Sequence, residues 1–313
     1  MLTLSRFTRY FIEVSRCGSI RKAAEVLHVS ASAIDRQILN AEQELGVPLF
    51  ERLPSGLRLT AAGELMLASA RQSEKSFRRA LEHMDELQGL RRGHTDIAMI
   101  DALSEGFVVE AVAELVERFP RLTFGLRTAH NQEVIDQVLS AEVDLGLLLD
   151  PPPTSELQSK ATVEIPLGIA MPVGHPLADK ADLQLAETLG FRLLLPAEPL
   201  IVHRHALTLY QRQRVNVHQL TSCNDMRTMR SLIRQGVGVG LLSWLDVAQD
   251  LRAGQLAFVP LKRGQAKPML LSLSVAAQRQ LSKAAQLTLE SLQVQMDDLQ
   301  REMAQENIAD RSR

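Results

Sequence analysis

Apolar residues in the first sixty positions recur at helical rather than alternating spacing. Phe7, Phe11 and Val14 stand at i, i+4 and i+7, one face of a helix that Gly18 can end. Ser19 can cap a second, short helix with Ala23, Ala24 and Leu27 turned inward, small residues that let a neighbouring helix approach closely. His28 and Val29 then turn the chain, and Ser30 caps a third helix whose inner face is Ile34, Ile38, Ala41 and Leu45. Gly46, Val47 and Pro48 stop it. Residues 49–52 and 57–59 flank a Pro54-Ser55-Gly56 turn and predict a two-stranded wing. Thr60 can cap a long, Pro-free helix running to about Gly89. Its stripe of Leu67, Ala70, Phe77, Leu81, Met84 and Leu87 is narrow, and Lys75, Arg78, Arg79, Glu82 and Asp85 lie opposite. Such a stripe suits a seam between two helices, the other reading being a helix packed on its own domain.

From Asp96 the rhythm changes to short β-rich runs separated by helical stretches. The runs are 97–100, 122–127, 143–149, 163–171, 191–195, 239–242, 256–259 and 270–275. Helices are predicted at 105–118, with Phe107, Val108, Ala111, Val112 and Leu115 inward, and at 225–235, with Met226, Met229, Leu232 and Ile233 inward. This alternation predicts an α/β fold with parallel sheets. The length supports two lobes with a cleft between them, lobe I at 94–165 and 266–280 and lobe II at 166–265. Ser104, Asn131 and Asn224 are each placed to cap a helix after a strand, where backbone N–H groups would face a ligand. Gly236, Gly238 and Gly240 follow a helix and lead into a strand, the reverse of the order a phosphate-cradling loop needs, and read as a turn. After Leu281 a last helix to about Ala304 carries Leu292, Met296, Leu299 and Met303 on one stripe, to cover either a partner or its own domain. The polar end at 307–313 is expected to be disordered.

Three helices and a wing within sixty residues form a winged helix-turn-helix, in which the start of the third helix meets base edges. That assigns Ser30, Ala31, Ser32, Asp35, Arg36 and Gln37 to DNA, with Arg52 and Arg58 of the wing facing phosphates. Asp35 has two readings. A carboxylate in the major groove can accept from the exocyclic amine of cytosine, or it can pair with Arg36 or Arg58 and touch no base.

The runs SIRKAAEVLHVS, SAIDRQI, ELGVPLFER and GLRLTAAGE together resemble the N-terminal domain of LysR-type transcriptional regulators. Asp35 stands where members commonly carry Ser, and Ala41 where they commonly carry Leu. Further on, MPVGHPLA at 171–178 resembles the family's lobe-crossing segment, and SCNDMRTMRSLIRQGVGVGLL its second-lobe helix and strand. The resemblance implies a winged helix-turn-helix domain (1–60), a dimerising linker helix (61–93), a two-lobed, periplasmic-binding-protein-like α/β effector domain (94–280) and a C-terminal helix and tail (281–313). It implies double-stranded DNA with inverted half-sites as target, a small-molecule effector, a homo-oligomer that dimerises through the linker helix and forms a tetramer, and RNA polymerase as a candidate further partner. By the same likeness the effector cleft would be lined by Asp101, Ala102, Ser104, Thr128, His203 and Asn224. Members usually place small or hydroxyl residues where this chain has Asp101 and His203, which argues against transferring the family's preference for small anions. His203 and His205 flank Arg204, a cluster that could bind a carboxylate or titrate near neutrality, or simply be solvated at a loop tip.

Charge alters this picture in one respect. The formal net charge is −2, but 14 Lys and Arg stand against 11 Asp and Glu through residue 94, leaving 21 against 26 beyond it. So weak an excess predicts poor DNA binding by one protomer and useful affinity from two linked heads. Cys17 and Cys223 are too few for a disulfide framework or a Cys-rich metal site, and neither cofactor nor metal is expected. No apolar run approaches the roughly 20 residues of a membrane helix, and the chain opens on a charged amphipathic helix rather than a signal peptide, so a cytoplasmic protein without membrane contact is expected. Enzymatic function is not expected, for lack of a nucleophile elbow, metal-spaced histidines or a phosphate loop. The competing reading is a two-lobed solute-binding protein with no DNA role.

Overall fold

A computed structural model describes residues 5–54, 56–87, 93–212 and 220–309, with side chains described except at 75, 76, 78–87, 220 and 305–309. These residues form two compact units, the first ending with a long helix and the second beginning at Gly93.

The first unit contains α1 (Arg6–Cys17), α2 (Ile20–Leu27), α3 (Ala31–Leu45), β1 (Phe50–Leu53), β2 (Gly56–Leu59) and α4 (Ala61–Leu87). Its caps follow the sequence. Ser19 and Ser30 accept from Lys22 N and Ala33 N, while Gly18 takes the left-handed conformation (φ 61°) that an L side chain resists. Phe11, Val14, Ala23, Ala24, Ile34 and Ile38 are buried together with Leu49. Leu45, expected inward, is 47% exposed, because it sits on the last turn of α3, beyond the helices that cover Ile34 and Ile38. The wing is an antiparallel pair with Arg52 opposite Leu57 and Arg58 opposite Glu51.

Thr60 Oγ1 accepts from Gly63 N at 3.0 Å and starts α4. Gly63 is buried against the Leu49 carbonyl, so closely that any Cβ would overlap the oxygen. Leu67 and Ala70, the first residues of the stripe assigned to a two-helix seam, are buried in this unit's own core. That part of the expectation is corrected, because a helix leaving the wing must first cover α1 and β2. The side chains of Leu81, Met84, Leu87, Lys75, Arg78, Arg79, Glu82 and Asp85 lie outside the described residues, as do Ser55 and Gly89.

In the second unit the order is β3 (Gly93–Met99), α5 (Phe107–Arg118), β4 (Leu122–Thr128), α6 (Asn131–Leu139), β5 (Leu145–Leu149), β6 (Leu157–Ile165), β7 (Leu167–Pro172), β8 (Leu193–Pro196), α7 (Ile201–Arg212), β9 (Leu220–Cys223), α8 (Met226–Arg234), β10 (Val239–Ser243), α9 (Trp244–Arg252), β11 (Leu256–Pro260), β12 (Met269–Ala276) and α10 (Lys283–Ala309). Two five-stranded sheets result, β4-β3-β5-β12-β6 in one lobe and β11-β7-β10-β8-β9 in the other. Neither is wholly parallel. β12 runs antiparallel to β5 and β6, and β7 antiparallel to β10 and β11, since strands that return from the opposite lobe have no helical crossover to orient them. The run expected at 163–171 is two strands in different sheets, broken at Pro166, which has no N–H for a ladder.

β9 was not anticipated; at four residues on a sheet edge it is too short to show a period. In α10, Leu292, Met296, Leu299 and Met303 are buried in the lobe I core against α5, β3 and β6, so the stripe serves its own domain. The helix runs to Ala309, past the expected end and into the expected tail, of which 310–313 lie outside the described residues. Among the described residues no helix is long and apolar enough to cross a membrane.

Candidate functional site

Helix α3 presents Ala31, Ser32 and Arg36 to solvent at its N-terminal end, with Asp35 and Gln37 half-buried beside them. Ser30 Oγ accepts from Ala33 N at 3.3 Å and from Ser32 Oγ at 3.2 Å, leaving the Ser32 hydroxyl on the surface. Arg52 Nη2 donates to Asp35 Oδ1 at 2.8 Å, tying the wing to α3. Arg58 bonds Glu51, its cross-strand neighbour, at 2.7 Å. Asp35 therefore has a basic partner, but not either of those expected. Arg36 lies one residue along the helix and points elsewhere, and Arg58 is held by Glu51. Both arginines are more than 60% exposed, so each pair contributes under about 1 kcal/mol and can exchange its carboxylate for a phosphate. Arg36 has no carboxylate partner among the described residues.

Glu42 was overlooked. Its Oε1 accepts from Leu49 N at 2.7 Å and Phe50 N at 3.1 Å, so one α3 carboxylate fixes where the wing begins. A helix-facing glutamate ahead of a Gly-Val-Pro turn was the available signal.

In the second unit a cavity of about 340 Å³ opens between the two lobes. It brings together Asp101, Ala102, Thr128 and Asn224 of the expected residues, at the starts of α6, α7 and α8. Ser104 lies outside it, its hydroxyl donating to Asp101 O at 2.7 Å, and α5 starts from Gly106, so Ser104 caps no α-helix. His203 is also outside. It belongs to α7 rather than a loop tip, with Nδ1 2.7 Å from Pro196 O. Asn224 is not a cap either; its neighbour Asp225 caps α8, accepting from Thr228 N at 2.8 Å and Thr228 Oγ1 at 2.7 Å. Those Thr228 bonds hold the Asp225 carboxyl below its ordinary range. Asn131, the third expected cap, instead clamps the end of β5, its Oδ1 accepting from Leu149 N at 2.9 Å while its amide donates to Leu149 O.

Asp246 completes the cavity floor. Burial pushes its carboxyl up, against hydrogen bonds from the Ser243 hydroxyl and N–H. Among the described residues, three arginine–carboxylate pairs and one histidine–carboxylate hydrogen bond join the lobes, with the basic side chain on lobe II in each. Arg227, Arg230, Arg252 and His205 of lobe II meet Asp101 (3.2 Å), Glu105 (3.6 Å), Glu302 (2.6 Å) and Asp150 (2.7 Å) of lobe I. Among the described residues no group of His, Cys, Asp and Glu is placed to hold a metal ion.

Comparison with known proteins accounts for both units. Residues 6–64 match the bacterial regulatory helix-turn-helix protein of the lysR family, and residues 88–297 match the LysR substrate binding domain. The transcriptional dual regulator GltC of Bacillus subtilis is 30% identical over 239 residues, 76% of this chain and 79% of that protein. A RuBisCO operon transcriptional regulator of Allochromatium vinosum is 26% identical over 251 residues, 80% of this chain and 83% of its own. A full-length OxyR variant of Pseudomonas aeruginosa shares the fold at a TM-score of 0.68 and 20% identity, covering 92% of this chain and 96% of that one. CbnR in complex with its target DNA does so at 0.64 and 20%, covering 94% and 100%.

Proposed function

The chain belongs to the LysR family of bacterial transcriptional regulators, as a DNA-binding regulator with an effector-binding domain, and we propose how its parts divide that work. Helix α3 enters the major groove with Ser30, Ala31, Ser32, Arg36 and Gln37 toward base edges, while Arg52 and Arg58 exchange their carboxylates for phosphates. Asp35 positions Arg52 rather than reading a base. Two copies joined along α4 grip inverted half-sites, and pairs of dimers form a tetramer that can meet RNA polymerase. A small molecule in the interlobe cleft acts through Asp101, Ala102, Thr128 and Asn224 by binding one arrangement of the protein better than another.

The observation that carries this reading is the exposed start of α3 beside a wing whose two arginines are surface-held. A solute-binding role without DNA leaves that surface without a use. Selection of bound fragments from genomic DNA, followed by titration of the recovered site over 50–200 mM salt, tests it. An inverted repeat and a log–log slope of several ions are expected. Equal binding to all fragments, or none at about 50 mM salt, would overturn it.

A further inference from the structure

The residues that line the interlobe cavity include four carboxylates, Asp101, Glu133, Asp225 and Asp246, and neither Lys nor Arg. An anionic ligand in such a cavity would draw on backbone N–H groups at helix starts, and at two of the three starts one of these is already taken by a carboxylate of the chain. Asp225 takes Thr228 N at the start of α8, and Glu133 accepts from His130 N at the start of α6. The third helix start, that of α7, offers Ile201 and Val202, which with Leu149, Pro199 and Leu200 make one side of the cavity apolar. From this lining we propose that the cleft takes a small amphipathic cation, an ammonium or guanidinium on an apolar body, rather than an anion. The inference rests on the cleft being the effector site, as proposed above.

The cationic head sits between the carboxylates of Asp101 and Asp225, and the apolar body lies against Leu149, Leu200 and Ile201. Arg227 already holds Asp101 from the opposite lobe at 3.2 Å, so the chain carries its own cation at this position. An incoming ammonium competes with it, and by doing so uncouples one of the described contacts that join the lobes. That gives charge recognition a direct path to lobe geometry, since the ligand and the resident arginine cannot both saturate one carboxylate.

The test uses the full-length protein and a matched set of probes, n-pentylamine, 1,5-diaminopentane, 1-pentanol and pentanoate, at fixed ionic strength, with affinities from calorimetry and thermal midpoints. The amines are expected to bind at least about tenfold more tightly than pentanoate. Asp225→Asn keeps the α8 cap, because asparagine caps as well as aspartate, and is expected to weaken the amines about fivefold; loss of the depressed carboxyl lowers the ligand-free midpoint slightly, so affinities are compared where both proteins are fully folded. Ala129→Leu, which fills the cavity, should abolish binding of every probe. If pentanoate binds more tightly than the amines and Ala129→Leu blocks it, the cation assignment falls while the cleft remains the effector site. If no probe binds saturably, or binding survives Ala129→Leu, the cleft reading falls with it.

Discussion

His205 Nε2 and Asp150 Oδ2 stand 2.7 Å apart, joining α7 of lobe II to the end of β5 in lobe I. Asp150 also accepts from Leu270 N at 2.7 Å and donates its own N–H to Leu270 O at 2.8 Å, so it is fixed to β12 before it meets the histidine. Its left-handed backbone (φ 46°) is one that aspartate and asparagine tolerate. Burial alone would raise the Asp150 carboxyl, but the His205 and Leu270 hydrogen bonds bring it below its ordinary value of 3.8. Depression of a carboxyl in the folded state means that its stabilisation is complete above the unfolded value and lost as pH falls from 3.8 through the lower folded one. Asp150→Asn should therefore lower the stability of the second unit by about 1 kcal/mol at neutral pH. The deficit relative to wild type should shrink below about pH 4, read from thermal midpoints between pH 6 and 3. A deficit constant across that range would exclude the carboxylate as its source.

Arg52 on Asp35 makes a second prediction. If Asp35 only orients the arginine, Asp35→Ser removes a negative charge near phosphates and should strengthen DNA binding a few-fold without changing the preferred sequence. Arg52→Ala should weaken binding to all sequences about equally and reduce the salt slope by about one ion. Binding-site selection with both variants checks this; a changed preference at one base pair with Asp35→Ser would assign Asp35 to readout.

Glu42 separates shape from charge. Glu42→Gln keeps an oxygen that can accept from Leu49 N and Phe50 N, whereas Glu42→Ala leaves both unsatisfied at a cost of about 1–3 kcal/mol. Chemical denaturation should show the alanine variant strongly destabilised and the glutamine variant close to wild type. Equal loss in both would mean that the carboxylate charge matters, not the acceptor.

Gly63 is constrained by its backbone neighbour. The atom that a Cβ would meet is the Leu49 carbonyl oxygen, which cannot rotate away, so Gly63→Ala must separate α4 from the wing. A loss of about 1–3 kcal/mol in the first unit is expected, with weaker DNA binding and an unchanged second unit, as domain-resolved calorimetry would show.

The first unit was legible because its signals are local. Ser19, Ser30 and Thr60 cap helices within three residues, and Gly18 ends one by its own conformation, so each motif carries its geometry with it. The cleft was less legible. Ser104, Asn131 and Asn224 look like caps from spacing alone, yet two neighbouring residues, Gly106 and Asp225, start the helices. His203 misled for a different reason, since a His-Arg-His run says nothing about which face of α7 looks toward lobe I. His205 does, as its bond to Asp150 shows, and that contact spans 55 residues. A wing arginine does reach Asp35, but it is Arg52 rather than Arg58, because Arg58 is held by its cross-strand neighbour Glu51, a pairing that depends on the wing register.

The sheet order has a consequence for how the polypeptide matures. Lobe II is contiguous from β7 to β11, but lobe I takes β12 and α10 from the far side of it, with Leu292, Met296 and Leu299 completing its core. During synthesis lobe II can close as soon as it emerges, whereas β3, β4 and β5 must wait, with an apolar face open, until β12 and α10 have also left the ribosome. Chains halted before α10 would be the ones that chaperones hold and proteases clear.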